Sequence, residues 1–325
     1  MGAGTHATSA QRSTDKSVAH ERGSITRIAA AVSPHTEGRD AAAMAAAIAR
    51  ATNGELMLLA VEPDLPLLIP GLDRKTMRKE TETMLRTVRE SLTPRPRTVV
   101  KTGLSVPRAL EHAVRSEHRD LLVVGSSRHG PDGQVSLGKR TRQLLDDFQC
   151  SLAVAPRGFS ERPDVQFHRI GVGYDGGPES EAALQLAASI AATCRAELIV
   201  RGVVDDHIPA LGWPRVWLGA IMASWEETIS TKADSLREQI AAAESRFGLT
   251  AQADVELGRP SELLLKLSQD VDLLVIGSRR WGPVTHLLLG GTGEALLHGA
   301  GCPMLLVPRP QGAAPKAASA APTSR

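Results

Sequence analysis

The chain has 325 residues, of which 42% are hydrophobic, 23% charged and 3% aromatic, and its formal net charge is +2. Its length suggests two globular domains, and a near-neutral chain with few aromatic side chains lacks the basic face and stacking platforms of nucleic-acid-binding proteins. Its three cysteines, Cys150, Cys194 and Cys302, are too few and odd in number for a disulfide-stapled secreted protein, so we expect a cytoplasmic protein.

The two ends of the chain are polar and carry no periodic apolar face. Residues 1–24 are rich in Ser, Thr, Ala and charge, without the apolar core of a signal peptide, and residues 310–325 are rich in Ala and Pro. We predict that both are disordered tails. No stretch approaches the roughly 18 consecutive apolar residues of a membrane-spanning helix, so we expect no membrane partner.

Between these ends the chain repeats itself. Residues 120–157 align without a gap to residues 272–309, at an offset of 152, with 16 identities over 38 positions. Nearer the start of each copy, Glu37 matches Glu179 at an offset of 142. The second copy is therefore longer in its middle, around 205–250. Internal repetition of this kind predicts tandem copies of one fold.

The repeat predicts the domain boundaries. We expect one domain over residues 25–157 and a second over residues 168–309. The stretch between them, residues 158–167, is polar and contains Gly and Pro, which is typical of a linker.

The second copy alternates apolar runs with amphipathic stretches. The predicted strands are 169–174, 197–204, 250–257, 272–277 and 303–308, and the predicted helices are 178–193, 222–247, 260–269 and 293–300. Continuous apolar runs such as residues 272–277 suit strands that are buried on both faces, and alternation with helices makes the sheet parallel. Right-handed crossovers then give a doubly wound α/β layer in each half.

Two loops in each copy are expected to form a ligand site, because ligands of open parallel sheets bind at the carboxyl ends of the strands where the strand order reverses. In the second copy one loop begins at Asp175, and the other runs from Gly277 to Glu294 and ends at a helix start. A glycine-rich turn that opens a helix exposes backbone N–H groups near the positive helix end, which favours phosphate.

These loops resemble those of the universal stress protein family. Its signature is Gly-x2-Gly-x9-Gly followed by Ser or Thr after the fourth strand, with an acidic residue that ends the first strand. The resemblance covers about residues 26–157 and 168–309, and it implies two tandem, Rossmann-like domains of the adenine nucleotide α-hydrolase-like type. In nucleotide-binding members the acid and a second-strand valine hold the adenosine, and the glycine loop holds the phosphates. Other members bind no nucleotide detectably.

Carried over to the second copy, the resemblance implies an ATP site, with Mg²⁺ as the companion ion. The residues that it assigns are Asp175, Gly176, Val203, Gly277, Arg280, Gly290, Gly291, Thr292 and Gly293. Arg280 replaces the second signature glycine, and Gly291 replaces the hydroxyl residue, which Thr292 could supply. Glu294, in the first helical turn, would repel a nearby phosphate or simply compensate the helix dipole.

The first copy departs further from the signature. Ser33 replaces the acid, Arg128 replaces the second glycine, and Lys139 follows the last glycine. Losing the carboxylate removes the acceptor for adenosine, so we expect a degenerate site. The basic run 139–142, which ends at Arg142, is interpreted more simply as a solvated loop than as a phosphate site.

Other motifs are near misses. Residues 171–176 match GxGxxG, but the first two glycines lie inside a predicted strand, and residues 133–140 lack the final Ser or Thr of a Walker A motif. The ten histidines form no zinc pattern, so we expect no metal site within the protein. No catalytic residues can be placed from spacing, and we expect no enzyme.

Two groups of residues have simple structural interpretations. Cys150 and Cys302 precede the final strands of their copies and are interpreted as buried small hydrophobic residues. Trp213, Trp217 and Trp225 lie in or beside the insertion of the second copy. They are interpreted as core packing, with a lid over the cleft or a partner surface as the alternatives.

We therefore expect a universal stress protein, a non-catalytic module that binds a small ligand, with ATP at its second copy. The alternative is a nucleotide-independent interaction module, and a slow ATP hydrolase is a third hypothesis that lacks a positioned base. The resemblance implies that the final strands, 151–155 and 303–307, pair across a pseudo-two-fold axis to form an intramolecular pseudo-dimer. Further association of chains into a homodimer stays open.

Overall fold

The computed structural model describes residues 25–64, 73–93, 95–145, 150–162, 164–206, 218–248, 250–278 and 290–308, apart from the side chains of residues 139–140, 145, 218–223 and 247. The predicted disordered tails lie outside these ranges.

Ten strands and eight α-helices alternate along the described part of the chain. The strands are β1 (Arg27–Ala31), β2 (Glu55–Pro63), β3 (Arg97–Gly103), β4 (Leu121–Gly125), β5 (Ser151–Ala155), β6 (Arg169–Tyr174), β7 (Glu197–Val204), β8 (Ala251–Leu257), β9 (Leu273–Gly277) and β10 (Met304–Val307). The helices are α1 (Thr36–Thr52), α2 (Arg74–Glu90), α3 (Val106–Ser116), α4 (Lys139–Leu145), α5 (Pro178–Cys194), α6 (Leu218–Phe247), α7 (Pro260–Asp270) and α8 (Gly291–Leu296). None of these helices is long and apolar enough to cross a membrane.

All ten strands belong to one sheet, in the order β3-β2-β1-β4-β5-β10-β9-β6-β7-β8. Within each half the strand pairs are parallel. The order reverses between β1 and β4 in the first half and between β6 and β9 in the second. Each half is therefore a doubly wound α/β layer, as the sequence predicts.

The two halves meet through their final strands. β5 and β10 pair antiparallel, with Leu305 opposite Ala153 and Met304 opposite Val154. This register confirms the predicted pairing of the two final strands, and it removes two sheet edges that would otherwise be open to other chains.

Apolar side chains of the strands alternate between two core layers. In β9, Leu273 and Val275 pack on the face covered by α1, α2, α5 and α6, whereas Leu274 and Ile276 pack on the face covered by α3, α4, α7 and α8. Because successive side chains of a strand point to opposite faces, a continuous apolar run fills both layers. Each layer contains residues of both halves.

Several helix bounds differ from the prediction, and the largest differences are at the start of α6 and the end of α8. α6 begins at Leu218 rather than at 222, because an apolar stretch extends the helix toward its N-terminus. α8 ends at Leu296 rather than at 300, because the chain continues in tighter turns: the His298 amide donates to the Ala295 carbonyl and the Gly299 amide donates to the Leu296 carbonyl.

The segment between the two halves packs on the first half. Phe159 and Phe167 are buried, and residues 159–161 form a 3-10 turn. The buried carboxylate of Asp40 accepts hydrogen bonds from the amides of Gly158 at 3.0 Å and Ser160 at 2.8 Å, and from the Ser160 hydroxyl at 2.7 Å. A charged acceptor with three donors fixes this segment against α1.

Candidate functional site

Three of the predicted site residues lie at one edge of the sheet in the second half. β6 pairs in parallel with both β9 and β7, and Tyr174 lies opposite Gly202. Asp175 directly follows β6, Val203 follows Gly202 in β7, and Gly277 ends β9. The carboxyl ends of neighbouring parallel strands share an edge, so the topology brings Asp175, Val203 and Gly277 together there.

The turn at Asp175 is stabilised by its own side chain. Asp175 Oδ1 accepts a hydrogen bond of 2.9 Å from the Gly177 amide, and the residue is exposed. Gly176 has a φ of 72°, a conformation that favours glycine. In the first copy, Ser33 Oγ accepts a longer hydrogen bond of 3.4 Å from the His35 amide. Ser33 therefore preserves the turn without its negative charge.

The first signature glycine of each copy permits a close approach of two backbones. A Cβ on Gly277 would lie 2.5 Å from the carbonyl carbon of Glu179, and a Cβ on Gly125 would lie 2.0 Å from the carbonyl oxygen of Glu37. The starts of α5 and α1 therefore pack directly on the ends of β9 and β4. Sequence reasoning linked Gly277 only to phosphate and missed this packing role.

The glycine turn that opens α8 is exposed on one side. Gly290 is the N-cap residue, and a Cβ on Gly291 would contact nothing within 4 Å. Thr292 is half-buried and Gly293 is buried. The first amides of a helix have no partner within the helix, so this turn can donate hydrogen bonds to an anion. The predicted residue Arg280 lies outside the described residues.

Glu294 in this turn forms an ion pair with Arg142 of α4, from the first copy. Both side chains are about half exposed. The arginine offsets the negative charge that was expected to repel phosphate. The basic run that begins at Lys139 is predicted to be a solvated loop, but it forms the start of α4, and its Arg142, although half exposed, is paired across the two copies.

A small cleft lies between α5 and α6 beside the Asp175 turn. Its volume is about 280 Å³. The Tyr174 hydroxyl donates to Glu181 Oε2 at 2.9 Å, and the Arg246 guanidinium donates to Glu181 Oε1 at 2.5 Å. Burial and the Glu181 carboxylate raise the pKa of Tyr174. This cluster holds α6 against the turn, and no sequence pattern predicts it because its members are far apart along the chain.

One tryptophan of the predicted cluster lies near the same edge. The Trp225 indole N–H donates to the carbonyl of Asp206 at 3.4 Å, which joins α6 to the segment after β7. The ring is half-buried rather than part of the core. Trp213 and Trp217 lie outside the described residues.

The first copy contains a cavity of about 660 Å³ at the carboxyl ends of β1, β2 and β4. Its apolar lining includes Leu59, Val61, Met77, Met84, Leu110 and Val124. Glu37 Oε2 and Glu62 Oε1 are buried in this region without a hydrogen-bond partner. The sequence predicts a degenerate nucleotide site here, and the lining carries both acidic side chains and the basic Arg128 and His129.

The cysteines have no partner in a disulfide. Cys302 is buried, and burial raises the pKa of its thiol to about 12. This confirms the interpretation of Cys302 as a buried small residue, whereas Cys150 is only partly buried. Among the described residues, no group of three His, Cys, Asp or Glu side chains is placed to hold a metal ion.

Comparison with known proteins identifies a family. The profile described as "Universal stress protein family" matches residues 24–156 and 166–308. Two universal stress proteins of Mycobacterium tuberculosis are 29% and 27% identical to this chain, over 59% and 57% of its length and 62% and 60% of theirs. The chain thus matches about three fifths of the length of these curated relatives.

Solved structures share the fold. A protein of unknown function from Pseudomonas aeruginosa has a TM-score of 0.63 at 20% identity, over 89% of this chain and 94% of its own. A universal stress protein from Archaeoglobus fulgidus has a TM-score of 0.60 at 18% identity, over 88% and 97%. Identities this low establish the common fold and nothing about ligands.

Proposed function

Because the chain belongs to the universal stress protein family and carries two tandem copies of its Rossmann-like domain, we propose that it is a non-catalytic regulatory or protective module that binds ATP at its second copy. The proposal places the two domains over residues 25–157 and 168–309 and the protein in the cytoplasm.

The observation that carries this proposal is the difference between Asp175 and Ser33. Both side chains accept a hydrogen bond from the amide two residues later, so they support the same turn. Only Asp175 adds a carboxylate, exposed at the edge where β6, β7 and β9 end. Asp175 therefore adds a negative charge that the first copy lacks at this edge, and a ligand that donates hydrogen bonds would be attracted to it.

An exposed carboxylate and an apolar strand residue at this edge support an adenine nucleotide as the proposed ligand. Asp175 would accept hydrogen bonds from the adenosine part, and Val203 would supply an apolar wall. The amides of the turn that begins at Gly290 would donate to the phosphates, with the Thr292 hydroxyl beside them. Mg²⁺ keeps several waters and binds largely through nucleotide phosphates, so it needs few protein ligands.

We infer that bound ATP persists rather than turns over. The carboxylate on the glycine turn, Glu294, is engaged by Arg142. It is therefore already committed to an ion pair, whereas a general base must be free to accept a proton from water. Nucleotide would act by stabilising the state of the second copy that binds it.

The first copy favours a different role, that of a nucleotide-independent interaction module. Its glycine loop, which joins β4 to α4, donates backbone hydrogen bonds to the second copy. The Val135 amide donates to the Ala300 carbonyl, and the Leu137 amide donates to the Leu297 carbonyl. A loop that is held in this way serves the contact between the copies. We propose that the first copy supports the second and contributes no nucleotide site.

Thermal unfolding with and without millimolar ATP and Mg²⁺ tests the proposal. A ligand that binds only the folded state stabilises it by RT ln(1 + [L]/Kd), about 2.7 kcal/mol at a hundredfold excess over Kd. We expect the melting temperature of the wild-type protein to rise and that of Asp175→Ser to stay constant. Ser33→Ala is the matched control and should respond like the wild type. If the wild-type unfolding curves with and without ATP were superimposable, both copies would be better explained as a nucleotide-independent interaction module.

A further inference from the structure

Arg142 and Glu294 are equivalent residues of the two copies. They are separated by 152 positions, the offset that aligns residues 120–157 with residues 272–309. They are also the two partners of one ion pair. A residue that contacts its own counterpart lies on the pseudo-two-fold axis that relates the copies. The repeat therefore places opposite charges at one point of this axis.

A second pair of equivalent residues meets on the same axis. Ala153 and Leu305 are also 152 positions apart, and they lie directly opposite each other where β5 pairs with β10. Both are fully buried and pack in the same core layer. At this point the axis pairs a small side chain with a large one.

Pairing between like copies of separate chains would lose both complementary contacts. Two first copies would place Arg142 against Arg142 and leave a void between two Ala153 side chains. Two second copies would place Glu294 against Glu294 and crowd two Leu305 side chains. Like charges repel, and both voids and overpacking destabilise a close-packed interior.

We propose that these two axis contacts select the partner of each copy. They favour the pairing of a first copy with a second copy, so the surface formed by β5 and α4 fits the second copy of this chain and rejects a like copy of another chain. An exposed ion pair contributes little stability by itself. Specificity, however, is a difference between free energies of pairing, and here the like-charge alternatives enlarge that difference.

The segment between the copies acts together with these contacts. It is held against α1 by Asp40, which keeps the two copies at a high effective concentration. Chains that fold side by side still present like copies to one another before their own halves have paired. The axis contacts disfavour that exchange, and they do so whether or not nucleotide binds.

The test uses charge reversals in the full chain without nucleotide. We expect Arg142→Glu and Glu294→Arg each to lower the melting temperature, by roughly 1–4 °C for a contact of this strength. Each should also raise the fraction of dimeric chains after refolding at high protein concentration, measured by size-exclusion chromatography with light scattering. The double variant Arg142→Glu/Glu294→Arg should restore both values.

A matched control is the ion pair between Arg259 and Glu262, which has similar exposure and lies within one helix turn. Arg259→Glu should leave the dimer fraction unchanged.

For the size pair, Ala153→Leu should raise the dimer fraction, and Ala153→Leu/Leu305→Ala should lower it again. The proposal is overturned if the double charge reversal lowers the melting temperature by the sum of the decreases in the two single variants. It is equally overturned if the melting temperature recovers while the dimer fraction never changes.

Discussion

The Leu137 amide donates a hydrogen bond of 3.0 Å to the carbonyl of Leu297, which joins the glycine loop of the first copy to the end of α8 in the second. The Val135 amide donates to the Ala300 carbonyl at 2.8 Å beside it. Leu297 caps α8, and the last carbonyls of a helix have no partner within the helix, so the Leu137 amide satisfies a group that would otherwise need water. The same helix carries the Gly290 turn at its other end.

Because the two copies share one sheet, two core layers and this loop, we expect them to unfold together. Scanning calorimetry should show a single transition. Val135 is fully buried, so Val135→Ala should lower the free energy of unfolding by about 1–3 kcal/mol without splitting that transition. Leu104 is 73% exposed, and Leu104→Ala is the matched control with little expected effect. Two separate transitions in the wild-type protein would contradict the account.

Asp40 is expected to be a main anchor of the segment between the copies. Asp40→Ala leaves the amides of Gly158 and Ser160 without their acceptor, and bonds to charged groups contribute about 1.5–3 kcal/mol each, so a loss of several kcal/mol is expected. Ser160→Ala removes only the hydroxyl donor and should cost about 1 kcal/mol. Urea unfolding measures both. Equal losses for the two variants would show that the carboxylate is not the anchor.

The first signature glycines are expected to be required for folding. A Cβ on Gly125 or Gly277 would overlap the backbone of α1 or α5, and overpacking of this kind costs at least about 1–3 kcal/mol. Gly125→Ala and Gly277→Ala should therefore destabilise the protein in the absence of any ligand. Gly291→Ala, whose Cβ enters open space, should leave stability nearly unchanged. If all three variants were equally stable, the packing role assigned to Gly277 would be wrong.

Asp120 is expected to contribute to acid sensitivity. Burial opposes its ionisation, but hydrogen bonds from the Arg27 guanidinium and from the amides of Thr26 and Arg27 outweigh burial and hold its pKa below the ordinary value. Because the pKa is lower in the folded state, the stabilisation is present above the unfolded pKa of about 3.9. It is lost as the pH falls through the folded pKa.

The measurement for Asp120 is urea unfolding as a function of pH. Asp120→Asn should have a lower free energy of unfolding than the wild type near neutrality. The free energies of the two proteins, plotted against pH, should converge in acid. The exposed Asp234, paired with Arg237 on one helix, supplies the control Asp234→Asn, which should follow the wild type at every pH. A constant difference between wild type and Asp120→Asn down to strong acid would contradict the assignment.

Local pattern was sufficient to predict the strands of the second copy. β6 and β7 match their predicted bounds, and β8, β9 and β10 lie within one residue of theirs. Continuous apolar runs define β9 and β10, whereas β8 alternates apolar and polar residues. Long-range contacts were not predictable in this way. Asp40 binds an amide 120 positions away, and no spacing rule relates the two.

The ion pair of Arg142 and Glu294 shows which part of the structure the sequence alone does not predict. The repeat already made the two residues equivalent, and their charges are visible in the sequence. That they meet required the antiparallel register of β5 and β10, which centres on Ala153 and Leu305. The predicted site depends on topology in the same way, since Asp175 and Gly277 become neighbours only when β6 pairs with β9.

Titration calorimetry with ATP and Mg²⁺ tests the central proposal most directly, because it counts sites. We expect about one site per chain, lost in Asp175→Ser, which keeps the turn acceptor and removes the charge, and unchanged in Ser33→Ala. Two sites per chain, or binding that survives Asp175→Ser and disappears in Ser33→Ala, would contradict the assignment of the nucleotide site to the second copy.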